Sequence, residues 1–319
     1  MAVYTQLLTQ DVQRFLQEFD IGECLRLEGI AQGIVNSNYR LQTTQGGYIL
    51  TLIESSGPET DLPYLLALQA HLGRAGLPVP VPVANRSGNC QHRLKGKETL
   101  LANELPGSSP LVPNAAQCHQ GGAVMARMHR SSAGFTPRRD NPMSMSVLLA
   151  KVARLQPRLQ EDDPDLMRCL EEEFENAGRG FYFESLPTGL CHADLFPDNT
   201  LFQGDALTGL IDFHYACHER FLLDLATAIN AWCFQETEAR FDNERVQALW
   251  AGYRAHREPS DMERLLLRNA LRASCLRFLT TRLEARYFPR AANQSLKPPE
   301  AFLKRLMIHR TEDITAGLP

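Results

Sequence analysis

Apolar side chains recur along this chain with two different periods. Over residues 9–19, Val12, Phe15, Leu16 and Phe19 fall on one face of a 3.6-residue repeat, which predicts a helix that Thr9 can cap. The period then drops to two. Tyr39, Leu41 and Thr43 alternate with Asn38, Arg40 and Gln42 as in a half-buried strand, Gln45-Gly46-Gly47 supplies a turn, and residues 48–53 form the return strand. A second helix opens at Asp61 with Pro63, carries Leu65, Leu68 and Leu72, and is closed by Gly73 and Gly76. Further strands are expected near residues 79–83 and 98–103. The first hundred residues thus predict a small antiparallel sheet with a packed helix.

After Leu105-Pro106-Gly107-Ser108-Ser109-Pro110 the helical period returns. Helices are expected at 114–130, 146–157, 164–178, 221–236, 242–256, 261–288 and 298–309. The clear exception is a hairpin over 189–213, with a strand at 199–202, a turn at Gln203-Gly204-Asp205-Ala206 and a partner strand at 207–213. The predicted class is α+β and bilobal, with a sheet-rich lobe over 1–105 and a mostly helical lobe over 106–319. Asn103-Glu104-Leu105-Pro106-Gly107 would be the hinge, whose backbone can meet the edge of a nucleotide base, or an ordinary connector between the lobes. Ligand pockets commonly lie at such interfaces.

Composition narrows the function. The 319 residues are 44% hydrophobic and 22% charged, with a net charge of −4. There is no basic excess of the kind that marks a nucleic-acid partner. The first residues lack the basic and apolar regions of a secretory signal. No apolar run reaches the roughly 20 residues needed to span a bilayer, so no membrane partner is expected. Eight scattered cysteines without a Cys-x-x-Cys pair favour reduced thiols and a cytoplasmic location.

The chemistry concentrates in His192-Ala193-Asp194-Leu195-Phe196-Pro197-Asp198-Asn199 and Gly209-Leu210-Ile211-Asp212-Phe213. Phosphoryl transfer from a nucleotide needs a group that receives the acceptor's proton and hard oxygen ligands for Mg²⁺. Asp194 suits the first role; Asn199 and Asp212, at the open end of the hairpin, suit the second. The spacing His-x-Asp-x-x-x-x-Asn is that of kinase-type catalytic loops. His192, with apolar neighbours, reads as a structural brace. Taken singly, each of these residues could equally cap a turn or close a loop. Upstream, Gly29 and Gly33 with Ser37 and Asn38 could let backbone amides approach phosphates, or merely turn the chain. No Lys follows Gly33, so this is not a P-loop. A hydrolytic metal site at His192, Asp194, Asp198 and Asp212 is a competing reading. No Gly-x-Ser-x-Gly elbow supports a serine hydrolase.

His192-x-Asp194-x-x-x-x-Asn199 with Ile211-Asp212-Phe213 resembles the aminoglycoside phosphotransferase and choline kinase superfamily, as does Met125-Ala126-Arg127-Met128-His129. The glycine loop, Ile49-Leu50-Thr51-Leu52, Asp61-Leu62-Pro63, Asn230-Ala231-Trp232-Cys233-Phe234 and the segment from Leu276 to Leu283 are similar to one branch, the bacterial homoserine kinases. The resemblance implies a protein-kinase-like fold and transfer of phosphate from ATP, with Mg²⁺, to the side-chain hydroxyl of L-homoserine. Carried over by position, Asp194 is the base and Asn199 and Asp212 are the metal ligands. Thr51 stands where many kinase-like proteins place a phosphate-gripping Lys; Arg40 is a possible substitute or a plain surface residue. The acceptor's carboxylate calls for an Arg. Arg277 is the first candidate, though it could also pair with Glu284, and Arg282 is the second. Tyr215 and Trp232 are candidate pocket walls, or core. A sister kinase acting on another amino alcohol or an aminoglycoside, and a non-catalytic nucleotide-binding relative, remain alternatives.

Overall fold

The computed structural model describes residues 4–30, 36–54, 61–178, 186–289 and 296–318. The chain divides into two compact units, one of residues 1–107 with 208–214, the other of 108–207 with 215–319.

In the first unit, α1 (Thr9–Leu16) is followed by strands β1 (Cys24–Gly29), β2 (Ser37–Thr43) and β3 (Gly46–Leu52), helix α2 (Leu62–Arg74), and strands β4 (His92–Leu94) and β5 (Lys97–Asn103). The sheet order is β1-β2-β3-β5-β4, antiparallel throughout. The period-two pattern of β2 is realised, with Tyr39, Leu41 and Thr43 buried. Tyr39 and Leu41 join Leu50, Leu52 and Leu101 of the sheet and Val12, Phe15 and Leu16 of α1 in one core. Asp61 caps α2 by accepting the Tyr64 N–H at 3.2 Å, as its sequence predicts. Leu8, not Thr9, is the residue before α1. The strand expected at 79–83 is reduced to a single bridge, Pro82 with Ala102. Pro78, Pro80 and Pro82 have no N–H to give a ladder, so the segment only flanks β5.

The second unit is built from helices. They are α3 (Ala115–Ser131), α4 (Met145–Asp162), α5 (Pro164–Glu173), α6 (Phe221–Trp232), α7 (Asn243–Arg254), α8 (Asp261–Tyr287) and α9 (Glu300–Thr311). Reciprocal capping boxes start α3 (Asn114 with Gln117) and α8 (Ser260 with Glu263). α4 continues through Pro157, where a stop was expected, because Leu155 and Leu159 on either side are fully buried. α3 and α7 cross with their backbones in near contact. A Cβ on Gly122 would lie 2.1 Å from the Leu249 carbonyl oxygen, and one on Gly252 would lie 2.0 Å from that of His119. α8 is central: Cys275, Leu276, Leu279 and Leu283 pack with Leu155, Leu170 and Phe302 from α4, α5 and α9.

Strands β6 (Thr188–Cys191) and β9 (Cys217–Arg220) pair antiparallel, a pairing not expected from the sequence. So do the two-residue strands β10 (Phe234–Gln235) and β11 (Arg240–Phe241), which shorten the expected 221–236 helix. The predicted hairpin is β7 (Thr200–Gln203) with β8 (Ala206–Leu210). Its exit, including Asp212, belongs to the first unit. Among the described residues no helix is long and apolar enough to cross a membrane.

Candidate active site

Asp194 sits in the loop between β6 and β7, and its surroundings follow from how that loop is closed. The Phe196 N–H donates back to the Asp194 carbonyl at 2.8 Å, and Pro197–Asn199 then form a 3₁₀ turn. The five-residue separation lets Asn199 reach back: Nδ2 donates to the Asp194 carbonyl at 2.8 Å and lies 3.4 Å from Asp194 Oδ2. With its amide committed there, Asn199 keeps Oδ1 outside any hydrogen bond among the described residues. That oxygen is the kind of donor a hard cation takes. Asp194 is about a quarter exposed at its side chain.

The approach to Asp194 is strained. Ala193 has φ of +61°, a left-handed conformation disfavoured for any residue with a Cβ. The peptide is held on both sides. Asp224, from α6 and 1% exposed, accepts the His192 N–H on Oδ2 and the Ala193 N–H on Oδ1, both at 2.8 Å. Arg277, from α8, donates to the Ala193 carbonyl, and its Nη2 lies 3.9 Å from Asp194 Oδ1.

Behind Asp224 runs a buried relay. His129 Nε2 is 3.0 Å from Asp224 Oδ2, and His129 Nδ1 is 2.8 Å from the Tyr253 hydroxyl, which accepts from Arg257 at 2.9 Å. Burial pushes His129 below its ordinary pKa although it faces a carboxylate, so the ring is neutral. It therefore donates from Nε2 and accepts from Tyr253 at Nδ1. Burial pushes Asp224 up. The hydrogen bond from His129 and the His192 backbone N–H outweigh it, so the carboxyl is held below its usual value and ionised. His129, Cys191 and Asp224 form the group of potential metal donors found among the described residues. All three are buried, and burial raises the Cys191 thiol well above its ordinary value, which suits packing rather than ligation. The hydrolytic-metal quartet of the sequence does not recur there.

The other predicted residues fall as follows. His192 is fully buried, and its backbone N–H is the part held by Asp224. Trp232, expected as a pocket wall, is 1% exposed and donates its indole N–H to the Leu195 carbonyl at 2.9 Å; it supports the loop from behind. Arg277, expected at the acceptor's carboxylate, is 3% exposed and committed to Ala193, because the inner face of α8 is turned towards the loop. Its guanidinium lies 5.4 Å from the ring centre of half-buried Tyr215. Asn230 bridges three helices, donating to the Leu271 carbonyl and facing His309 Nε2 at 2.7 Å. Arg282 donates to the Pro298 carbonyl and stacks over Phe302. Burial, then the charge of Arg305, pushes it down to about 10, and it feels the charges of Asp194 and Asp198.

In the first unit, Gly33 lies outside the described residues. Ser37 is fully buried, and its hydroxyl donates to Glu54 at 2.5 Å and accepts the Tyr4 and Thr5 amides. It anchors the N-terminal segment instead of facing a phosphate. Asn38 accepts the Thr51 hydroxyl at 2.7 Å. Asn103 accepts the Val81 N–H at 2.6 Å, and the Glu104 amide continues the sheet to Gly47. Leu105 is half-buried just beyond. Arg40 pairs with Glu104 at 2.5 Å, which engages the suggested substitute cation. Lys97, not singled out beforehand, reaches Glu54 at 3.2 Å. Asp212 is exposed with φ of +60°; its Oδ1 accepts the His214 N–H at a long 3.4 Å, so its carboxylate is only lightly engaged.

The sequence profile of the phosphotransferase enzyme family matches residues 26–259. The homoserine kinase of Beijerinckia indica subsp. indica is 38% identical over 312 residues, covering 98% of this chain and 97% of its own. That of Neisseria meningitidis serogroup B is 39% identical over 308 residues, covering 96% and 99%. Among solved structures, the amicoumacin kinase hAmiN in complex with AMP-PNP and Ca²⁺ superposes with a TM-score of 0.69 at 18% identity, covering 96% of this chain and 95% of that one. That likeness concerns the fold.

Proposed function

The chain belongs to the phosphotransferase enzyme family and, within it, to the homoserine kinases, and from that premise we propose that it transfers the γ-phosphoryl group of ATP to the side-chain hydroxyl of L-homoserine. The observation that carries this reading is the likeness at 38–39% identity along nearly the whole of both chains.

Asp194 is the proposed base. The homoserine hydroxyl attacks the γ-phosphorus in line with the leaving ADP oxygen, and Asp194 takes its proton as the new O–P bond forms and the bond to ADP breaks, a contribution of roughly 10²–10⁴ in rate. Asn199 and Asp212 are the proposed Mg²⁺ ligands. Their chemistry fits: one uncommitted carboxamide oxygen and one lightly engaged carboxylate. When bound, the metal neutralises phosphate charge. Asp224, Arg277 and Trp232 position the loop that carries Asp194. With Arg277 holding Ala193, we assign the acceptor's carboxylate to Arg282, a half-buried guanidinium whose hydrogen bond among the described residues is to the Pro298 carbonyl and which lies within the field of Asp194.

The test is coupled ADP release with a panel of acceptors: L-homoserine, choline, ethanolamine and an aminoglycoside. Release with homoserine alone, lost in Asp194→Asn while nucleotide binding persists, is expected. Release with another acceptor in preference to homoserine, or wild-type kcat in Asp194→Asn, refutes the assignment.

A further inference from the structure

Beside the β6–β9 pair and the C-terminal end of α3, the second unit carries a half-open pocket of about 350 Å³, with Arg130, Arg138 and Thr188 exposed along it. It is at the small end of the volumes that hold organic ligands. Nothing in the phosphoryl-transfer reading uses it. Its polar wall is made by Arg130 and Ser132 at the end of α3, Arg138 beyond, Thr188 on β6 and His218 on β9. Phe135, Leu190 and Phe221 supply an apolar wall.

The charges on this wall are unbalanced. Arg138 Nη1 lies 2.6 Å from His218 Nε2, which is also 3.2 Å from the Thr188 hydroxyl. A guanidinium only donates, so His218 accepts at Nε2 and is neutral. Burial, and then the Arg138 charge, lowers its pKa in keeping with that. Arg130 donates to the His256 carbonyl. Among the described residues neither arginine is in an ion pair with a carboxylate. Of the acids nearby, Glu219 is occupied by Arg220 and Asn141, and Asp140 is exposed. Two guanidinium groups, an imidazole and hydroxyls beside an apolar wall match a carboxylate or phosphoryl head on a short hydrocarbon body.

The floor of the pocket is mechanically tied to catalysis. The Ser132 hydroxyl accepts the Leu190 N–H at 2.7 Å, and Leu190 lies two residues before His192. Phe221 stacks on His129 at 4.4 Å, the ring that supports Asp224. We infer that this pocket is a binding site for a small organic or phosphoryl anion, distinct from the site of phosphoryl transfer and set against the strand that feeds its catalytic loop.

The experiment uses the full chain labelled with ¹⁵N-histidine, in buffer with 0.15 M salt and saturating ADP so that the nucleotide site is filled. Sodium butyrate, inorganic phosphate and butylamine are titrated separately while the His218 imidazole resonances are followed. A saturable His218 shift with butyrate or phosphate and none with butylamine is expected, the effective anion identifying the head group. Arg138→Ala should weaken it by about tenfold or more, in line with loss of one charge-assisted contact. Thr188→Val, which keeps side-chain volume, should weaken it less. Absence of a saturable shift with either anion overturns the proposal, as does a shift left unchanged by both substitutions.

Discussion

Asp224→Asn tests whether the catalytic loop is held by one buried charge. The carboxylate accepts from His192 N–H, Ala193 N–H and His129. A carboxamide has a single acceptor oxygen. If it keeps the Ala193 N–H, its NH₂ is turned towards the His192 N–H, which is left buried without a partner. That omission costs about 1–3 kcal/mol, and the surviving bond drops from charge-assisted to neutral, about 1 kcal/mol more. His129 can recover by accepting from the new amide. The expected loss is therefore about 2–4 kcal/mol, a large share of the 5–15 kcal/mol typical of a folded protein. Urea unfolding followed by the fluorescence of buried Trp232 and Trp250 reads it.

The same substitution should act on rate. Ala193 at φ +61° is disfavoured by about 1–2 kcal/mol, and the anchors keep it there. Released, the loop relaxes by that amount into conformers that misdirect Asp194. The competent fraction, and with it kcat, falls about 5- to 30-fold, while nucleotide affinity is unchanged. A variant with wild-type unfolding midpoint and kcat refutes the anchoring argument. One that is destabilised but turns over normally refutes the link between Ala193 and Asp194.

Four further outcomes are expected. Arg282→Ala should raise KM for homoserine about 10- to 100-fold, the loss of one charge-assisted contact, with KM for ATP unmoved in steady-state kinetics. Asn199→Ala and Asp212→Asn should each raise the Mg²⁺ concentration for half-maximal activity by about tenfold or more for the same reason, read by titrating EDTA-treated enzyme. Gly252→Ala should lower stability by about 1–3 kcal/mol or more in denaturant melts, because its Cβ has no room beside the His119 carbonyl. Stability should fall on acidification below about pH 6.5. Burial, then Arg268, Arg272 and Arg305, lowers His309 to about 3, and His129 is lowered as well. The unfolded chain therefore binds protons that the folded one refuses, at up to about 1.4 kcal/mol per pH unit for each ring. His309→Gln should flatten the slope of unfolding free energy between pH 6 and 4.

Much of this was legible from periodicity. The faces of α1, α2 and β2, the cap Asp61, and the loop–hairpin order around Asp194 follow from local spacing. What escaped was non-local or too short. β1 is an edge strand that leaves Leu25 well exposed, so it shows no alternation. β4 has three residues, and β6 finds β9 only across an intervening hairpin. Asp224 carried a signal that went unread: it is the one charge in Phe221-Leu222-Leu223-Asp224-Leu225-Ala226-Thr227-Ala228-Ile229, and an acid in so apolar a run is buried only with partners.

In the segments that tied the sequence to homoserine kinases, Asn230, Trp232 and Arg277 turn out to carry scaffold. Asn230 joins α6 to α8 and α9, Trp232 supports Leu195, and Arg277 holds Ala193. A residue that fixes the loop backbone constrains where Asp194 points, yet it discriminates between acceptors only through that loop. Likeness in these segments therefore argues for the same catalytic frame, and acceptor choice has to come from side chains that remain partly open beside it. Arg282 meets that condition and Arg277 does not, since a guanidinium that is 3% exposed and already bonded to Ala193 would have to abandon the loop to reach a substrate. Arg282→Lys separates the two cases. A lysine keeps the charge but not the planar fork, so an intermediate KM for homoserine with unchanged kcat places the carboxylate at residue 282. A fall in kcat alone would mean that Arg282, too, serves the frame.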